Sequence, residues 1–208
     1  AYENLDIVVV GEPNDGPTRR EAKRLAEQHE TVRWLENRYP GSKAGAINHA
    51  VECSEADHFA VFDADETVDA EFISAATDRL DDACQVFQGR RVPQPTGPIE
   101  TLAYCERVLF HASYKLIERV GFHNCRSSST VFTREAFERV GGYDDVLTED
   151  LDFSHKCYRE GIPVVVSRYR TNSMEAPHTL RDVWGQRKRW RTGQIEVLHR
   201  TLTELDRS

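Results

Sequence analysis

Lysine is scarce in this sequence: only 5 of its 27 Lys and Arg residues are Lys. Acids outnumber bases 35 to 27, for a formal net charge of -8 and a pI near 5.5. That balance excludes a general nucleic-acid binder, whose phosphate contacts need a basic face. Paired cysteine motifs are lacking too. The five Cys stand at 53, 84, 105, 125 and 157, odd in number and with no CxxC. They fit free thiols in a reducing compartment, not a disulfide framework or a zinc site. Long apolar runs are absent. The longest, such as Phe59–Phe62 and Ile162–Val166, fall far short of the ~18 residues of a membrane span. No leader pattern, internal repeat, low-complexity tract or long linker is evident. What is present, 39% hydrophobic and 30% charged residues over 208 positions, describes a soluble globular chain. At this length it buries roughly 70% of its unfolded surface and needs no disulfide or metal staple. Excess acid with Arg in place of Lys resembles salt-adapted composition; drift in a GC-rich genome gives the same bias.

Apolar strand-like runs alternate with amphipathic stretches. Strands are expected at Leu5–Val10, Thr31–Leu35, His58–Phe62, Gln85–Val92, Thr130–Thr133 and Pro163–Ser167. Helices are expected at Thr18–Glu30, Ser42–Cys53, Asp69–Leu80, Ile99–Val120, Arg134–Val140 and Leu151–Glu160, with a last long helix from Thr179. In the longest internal helix, Leu102, Leu109, Leu116 and Val120 share one face. This alternation predicts an α/β sandwich with a largely parallel sheet. In such a sheet chemistry gathers beyond the carboxyl ends of the strands. Gly11–Asp15, Asp63–Glu66 and the segment after Val92 therefore matter most.

Asp63-Ala64-Asp65-Glu66 follows a buried strand directly. Two carboxylates at i and i+2 suit a hard divalent cation that also holds phosphate oxygens, although a bare DxD is more often a solvated turn. In Lys43-Ala44-Gly45-Ala46-Ile47-Asn48 the small residues permit close approach to a helix start, where Lys43 can meet a phosphate. Tight packing beside a solvated Lys reads the same way. In Leu147-Thr148-Glu149-Asp150, Thr148 can cap a helix whose first turn favours acids, or an acid can point into a cleft as a general base. From His178 to Gly193 the charge is +4, from five Arg and Lys and one Asp. Helical spacing places Gln186, Arg189 and Trp190 on one face and Arg187, Lys188 and Arg191 elsewhere. A solvated basic face, or one lying on an anionic membrane, is the plainer reading.

Together these residues resemble the family 2 inverting glycosyltransferases of the membrane-integrated synthase type, such as cellulose, chitin and hyaluronan synthases. The pieces occur in the family's order: Lys43 to Asn48 (KAGxxN), Asp63-Ala64-Asp65 (DxD), Val140-Gly141-Gly142-Tyr143, Thr148-Glu149-Asp150 (TED), Glu175-x-Pro177-x-Thr179, and Gln186-Arg187-x-Arg189-Trp190 (QRxRW). The resemblance implies a GT-A-type α/β fold with a mixed, mostly parallel sheet. It implies a core over 1–177 and, in the same domain, an amphipathic helix over 178–208 that can lie at a membrane interface. The implied reaction moves a sugar from a nucleotide-diphosphate sugar, a UDP-sugar first, to a saccharide or lipid acceptor, with inversion and with Mg²⁺ or Mn²⁺. By the same resemblance Asp150 is the general base, Asp65 and Asp63 hold the metal, and Asp63 also meets the ribose. Glu12, Lys43, Gln186 and Arg189 bind the donor, and Glu149 and Trp190 face the acceptor. The implied place is the cytoplasmic face of the cell membrane, with anchoring helices outside these residues.

The chain departs from the family pattern at three places. No counterpart of the family's first strand precedes Leu5. Gly11-Glu12-Pro13-Asn14-Asp15 replaces the acidic pair that reads the base, with Glu12 as substitute. Arg126, in Asn124-Cys125-Arg126-Ser127-Ser128-Ser129, stands near an expected glycine on the acceptor side. Two other classes also fit parts of the sequence. Asp63-Ala64-Asp65-Glu66-Thr67 matches the DxDxT of haloacid-dehalogenase phosphatases, with Asp63 as nucleophile, and a non-catalytic nucleotide- or membrane-binding module is the other alternative.

Overall fold

The elements run β1 (Ile7–Gly11), α1 (Gly16–Gln28), β2 (Val32–Glu36), α2 (Lys43–Glu52), β3 (His58–Val61), β4 (Glu66–Thr67) and α3 (Phe72–Thr77). There follow β5 (Val86–Pro93), α4 (Pro98–Ile117), β6 (Thr130–Thr133), α5 (Arg134–Val140), α6 (Glu149–Arg159), β7 (Val164–Met174) and α7 (Leu180–Leu205). This is a computed structural model that describes residues 4–205, apart from the side chains of 168–171, 204 and 205. The expected core start at 1–3 and the helix end at 206–208 lie outside the described residues.

Local chemistry sets several boundaries. Asp15 caps α1, its carboxylate accepting from Thr18 N at 3.1 Å, with Pro17 in the first turn. Ser42 caps α2 by accepting from Gly45 N at 2.9 Å. Thr133 caps α5 and Gly141, at φ +74°, closes it.

The strands form two sheets, β1-β2 and β3-β6-β5-β7-β4. The α/β class stands, but the expected parallel majority does not. β1–β2 and β5–β7 are parallel, whereas β3–β6, β5–β6 and β4–β7 are antiparallel. Two of these arise from β6, which re-enters between β3 and β5 in the opposite sense after α4, and the third from the two-residue edge strand β4.

Alternation along the central strands fills both faces. Val86 and Phe132 point to a core of Ile47, Val51, Phe137, Tyr143 and Phe153, while Phe87 and Val131 point to Phe72 and Ala76. Tyr143 and Phe153 stack at 4.3 Å between ring centroids.

Three element expectations change. The helix expected at Asp69–Leu80 shortens to Phe72–Thr77, and the strand expected at Pro163–Ser167 extends to Met174. The apolar stripe of α4 faces outward, with Leu109 71% exposed. The inner side of α4 instead carries Ala103, Arg107 and His111, four residues apart, and buried Glu100.

Candidate functional site

Asp63 leaves the end of β3 and lies between two cations. Its Oδ1 accepts from Lys43 Nζ, and its Oδ2 accepts from Arg91 Nη1 at 2.6 Å. Burial would raise this carboxyl, but Lys43 and Arg91 hold it below the usual range. Asp65, two residues on, is exposed and has no hydrogen bond or ion pair among the described residues.

The loop 124–129 is held from two sides. Buried Gln88 donates to the carbonyls of Gly89, Ser128 and Ser129 at 2.8, 3.1 and 3.2 Å, and its Oε1 accepts from Arg126 N and Thr130 Oγ1. Glu66 accepts from the hydroxyls of Ser128 and Ser129. Ser129 is fixed at φ +50°, a region non-glycine residues seldom adopt. The same loop ties the two acidic centres together. Ser128 Oγ accepts from Asp63 N at 2.9 Å, and Ser127 Oγ donates to Glu149 Oε1 at 2.6 Å.

Asp150 sits in the first turn of α6, half-buried. Burial and the charge of Glu149 push its carboxyl above the ordinary range; the Leu151 N–H, Arg126 and Lys43 oppose that. Its Oδ1 accepts from Leu151 N at 2.8 Å. Thr148, read as the cap of this helix, makes no capping bond, and its buried hydroxyl has no partner among the described residues. It packs instead on α7. A Cβ at Gly193 would lie 2.4 Å from Thr148 Cγ2, so α7 approaches only where it has no side chain.

In α7, Arg187 turns inward, against expectation. It donates from Nε to Glu106 at 2.6 Å and from Nη1 to Gln186 Oε1 at 2.6 Å, and its guanidinium lies 4.3 Å from the Trp190 ring centroid. Arg107 of α4 covers the same ring at 5.2 Å. Arg189 is exposed. The physical reason is the burial stripe Val183, Gln186/Arg187, Trp190, Gly193, Val197, which passes through Arg187 at i, i+3/i+4 spacing.

Glu12 reaches the loop after β2: its oxygens accept from Asn37 Nδ2 at 2.9 Å and Gly41 N at 3.1 Å. Lys43, Asp63 and Arg91 thus meet, as do Gln186, Arg187 and Trp190, while Glu12 and Arg189 stand apart from both groups in contacts.

Sequence reasoning passed over several residues. Asn48 accepts from Tyr143 N at 3.0 Å and donates to Tyr143 O at 2.8 Å, joining α2 to the Gly142-Tyr143 turn. Its signal was the final position of KAGxxN. Gln88 and Arg91 were polar positions inside a buried strand. Glu66, Arg107 and His111 carried no pattern of their own.

For a divalent cation the carboxylates divide unequally. Both oxygens of Asp63 face cations and Glu66 is held by serines, while Asp65 is exposed and carries no such partner among the described residues. One carboxylate completed by diphosphate oxygens and water suits Mg²⁺ or Mn²⁺. Among the described residues there is no cluster of three or more ligating side chains.

Residues 58–205 match the family model described as glycosyl transferase family group 2, and the chain belongs to that family. It is a glycosyltransferase domain. Among curated proteins it is similar to the poly-beta-1,6-N-acetyl-D-glucosamine synthase of Staphylococcus aureus (strain COL), with 27% identity over 207 residues, 96% of this chain and 50% of the relative. The chain thus spans about half the length of the curated relatives it matches. Among solved structures it is similar to a mannosyltransferase, PcManGT, from Pyrobaculum calidifontis in complex with GDP-Man and Mn²⁺. That match has a TM-score of 0.69 and 20% identity, covering 96% of this chain and 55% of the other. A second match is S. aureus TarS 1–349 in complex with UDP, at a TM-score of 0.59 and 13% identity, covering 86% and 53%. The fold is that of the GT-A glycosyltransferases.

Proposed function

We propose that this domain transfers a sugar from a nucleotide-diphosphate sugar, a UDP-sugar first, to a hydroxyl of a saccharide or lipid acceptor, with inversion. The observation that carries this reading is one loop, 126–129, hydrogen-bonded both to the Asp63 backbone and to Glu149 beside Asp150. On this reading Asp63 marks the donor side and Glu149 with Asp150 the acceptor side, both held against the same loop.

Asp150 takes the proton of the acceptor hydroxyl. The hydroxyl oxygen attacks the anomeric carbon, and the bond to the diphosphate breaks with its electron pair leaving on the diphosphate. The raised carboxyl of Asp150 suits a base that must hold a proton in the transition state. Asp63, fixed by Lys43 and Arg91, meets the ribose. Asp65 holds Mg²⁺ or Mn²⁺, which when bound neutralises charge developing on the leaving diphosphate. Gln186 and Arg189 attend the diphosphate, Glu149 and Trp190 the acceptor. Glu12 supports the donor pocket through Asn37 and Gly41.

The domain works at the cytoplasmic face of a membrane, anchored by segments outside residues 4–205. Exposed Leu109 and Leu116 on α4, and Trp184 (75% exposed) and Ile195 on α7, support that placement; no described helix is long and apolar enough to cross a membrane.

The test is a panel of UDP- and GDP-sugars with Mn²⁺, read as released nucleotide diphosphate. Turnover of at least one sugar, lost in Asp150→Asn, is expected. No turnover in any arm by the full-length protein overturns the reading.

A further inference from the structure

Arg91, Arg107 and Arg126 come from β5, α4 and the loop before β6, yet each guanidinium lies within electrostatic range of the others. Counter-charge among them is thin. Arg91 is 9% exposed; it gives one N–H to Asp63, and its buried Nε has no partner among the described residues. Arg126 is 6% exposed, and among the described residues its guanidinium hydrogen-bonds only the His111 ring, with Nη2 3.0 Å from Nε2. Burial and the neighbouring arginines push His111 down to about 3, so the imidazole is neutral and takes up no charge. Arg107 lies on the Trp190 ring and pairs with no carboxylate among the described residues. Glu106, the acid nearest in sequence, is taken by Arg187.

Buried cations that repel one another are a cost to folding unless an anion joins them. Position identifies the side. Arg126 precedes Ser127, the partner of Glu149, and follows Cys125, whose N–H donates to Ser154 Oγ of α6 at 2.8 Å. Arg126 therefore stands over the start of α6, where Asp150 lies. The donor side already has Lys43 and Arg91 at Asp63.

We propose that Arg126 and Arg107 form an oxyanion pocket for the acceptor: the acceptor carries a phosphate ester or carboxylate close to the hydroxyl that Asp150 deprotonates. Guanidinium groups suit this because their N–H forks match both oxyanions. The inference rests on the transferase reading above.

The experiment titrates inorganic phosphate into the full chain, with and without saturating UDP and Mn²⁺, by calorimetry. Phosphate is expected to bind the UDP-loaded protein. Arg126→Gln is expected to weaken phosphate by at least about tenfold, with UDP affinity within about twofold of the unmutated protein. Methyl phosphate and acetate as further titrants separate a phosphate ester from a carboxylate. Absence of phosphate binding to the UDP-loaded protein overturns the pocket. So does an equal loss of UDP and phosphate in Arg126→Gln, which assigns the cluster to the donor diphosphate. Arg107→Gln and Arg126→Lys answer the same question if Arg126→Gln does not fold, the lysine variant keeping part of the affinity. If the unmutated protein binds neither UDP nor GDP, the transferase reading fails, and phosphate binding without nucleotide, compared between unmutated and variant chains, decides the pocket alone.

Discussion

At Asp63 two cations more than offset the cost of burial, while at Asp150 burial and a neighbouring acid prevail over weaker opposing charges. The two carboxylates therefore respond oppositely to pH. Asp63 is depressed, so its stabilising contribution is present above the unfolded carboxylate value and is lost as pH falls through its folded value. Asp150 is raised, so its contribution is full below the unfolded value and is lost as pH rises through its folded value. At neutral pH its ionised form burdens the fold. Asp150→Asn is thus expected to cut transfer about a thousandfold, to leave UDP binding in place, and to raise the melting temperature. Lost UDP binding with transfer intact contradicts the assignment. In the unmutated enzyme, the acid limb of the kcat/KM profile is expected above the ordinary carboxylate range. Asp65→Ala is expected to abolish the EDTA-sensitive part of UDP binding; equal UDP affinity with and without EDTA in the unmutated protein counts against the metal. Asp63, Asp65 and Asp150 were legible in the sequence because strand ends and helix starts are punctuated locally. Arg126 was legible only as a misfit. Its partner His111 was not, since nothing in the order of residues brings α4 to that loop.

Elements show the same division. Caps at Asp15, Ser42 and Thr133 are written within a few residues; α2 and α5 begin where expected, and α1 begins two residues ahead of the expected Thr18. The outward stripe of α4 was misleading because a spacing of seven identifies a face without saying what the face meets. Its inner row, Ala103, Arg107, His111, carried no pattern that marked it as inward. Long-range joints were equally hidden. Asn48 spans 95 residues to bond both backbone groups of Tyr143. Gly142, at φ +71°, admits it because a Cβ there would lie 2.9 Å from Asn48 Oδ1. Asn48→Ala leaves those buried groups unpaired and is expected to cost about 1–3 kcal/mol in urea unfolding. The contact of Gly193 with Thr148 yields a sharper test. Gly193→Ala is expected to destabilise by about 1–3 kcal/mol through overpacking, and to lower transfer by displacing Gln186, Arg187 and Trp190. Thr148→Ser removes the Cγ2 that the new Cβ would strike, so the double variant should recover part of both losses. Strictly additive losses would show that the helix is not seated through this contact.

On the scale of the whole molecule, the two sheets share no strand pairing among the described residues. β1 pairs only with β2, and β3 only with β6, so each leaves an edge of unpaired backbone groups of the kind folded proteins normally cover. A strand laid between β1 and β3 would join the sheets and stiffen the route from Glu12 to Asp63. Amide hydrogen exchange distinguishes the cases. With such a strand added to the chain, amides of β1 and β3 are expected to exchange more slowly than in the 208-residue chain alone. Those of β5 and β6, already paired on both sides, change little by local opening. UDP affinity should rise alongside, since Glu12 follows β1 directly. Equal protection of β1 and β3 in both forms would mean that the two sheets function unjoined, with the donor pocket complete as it stands.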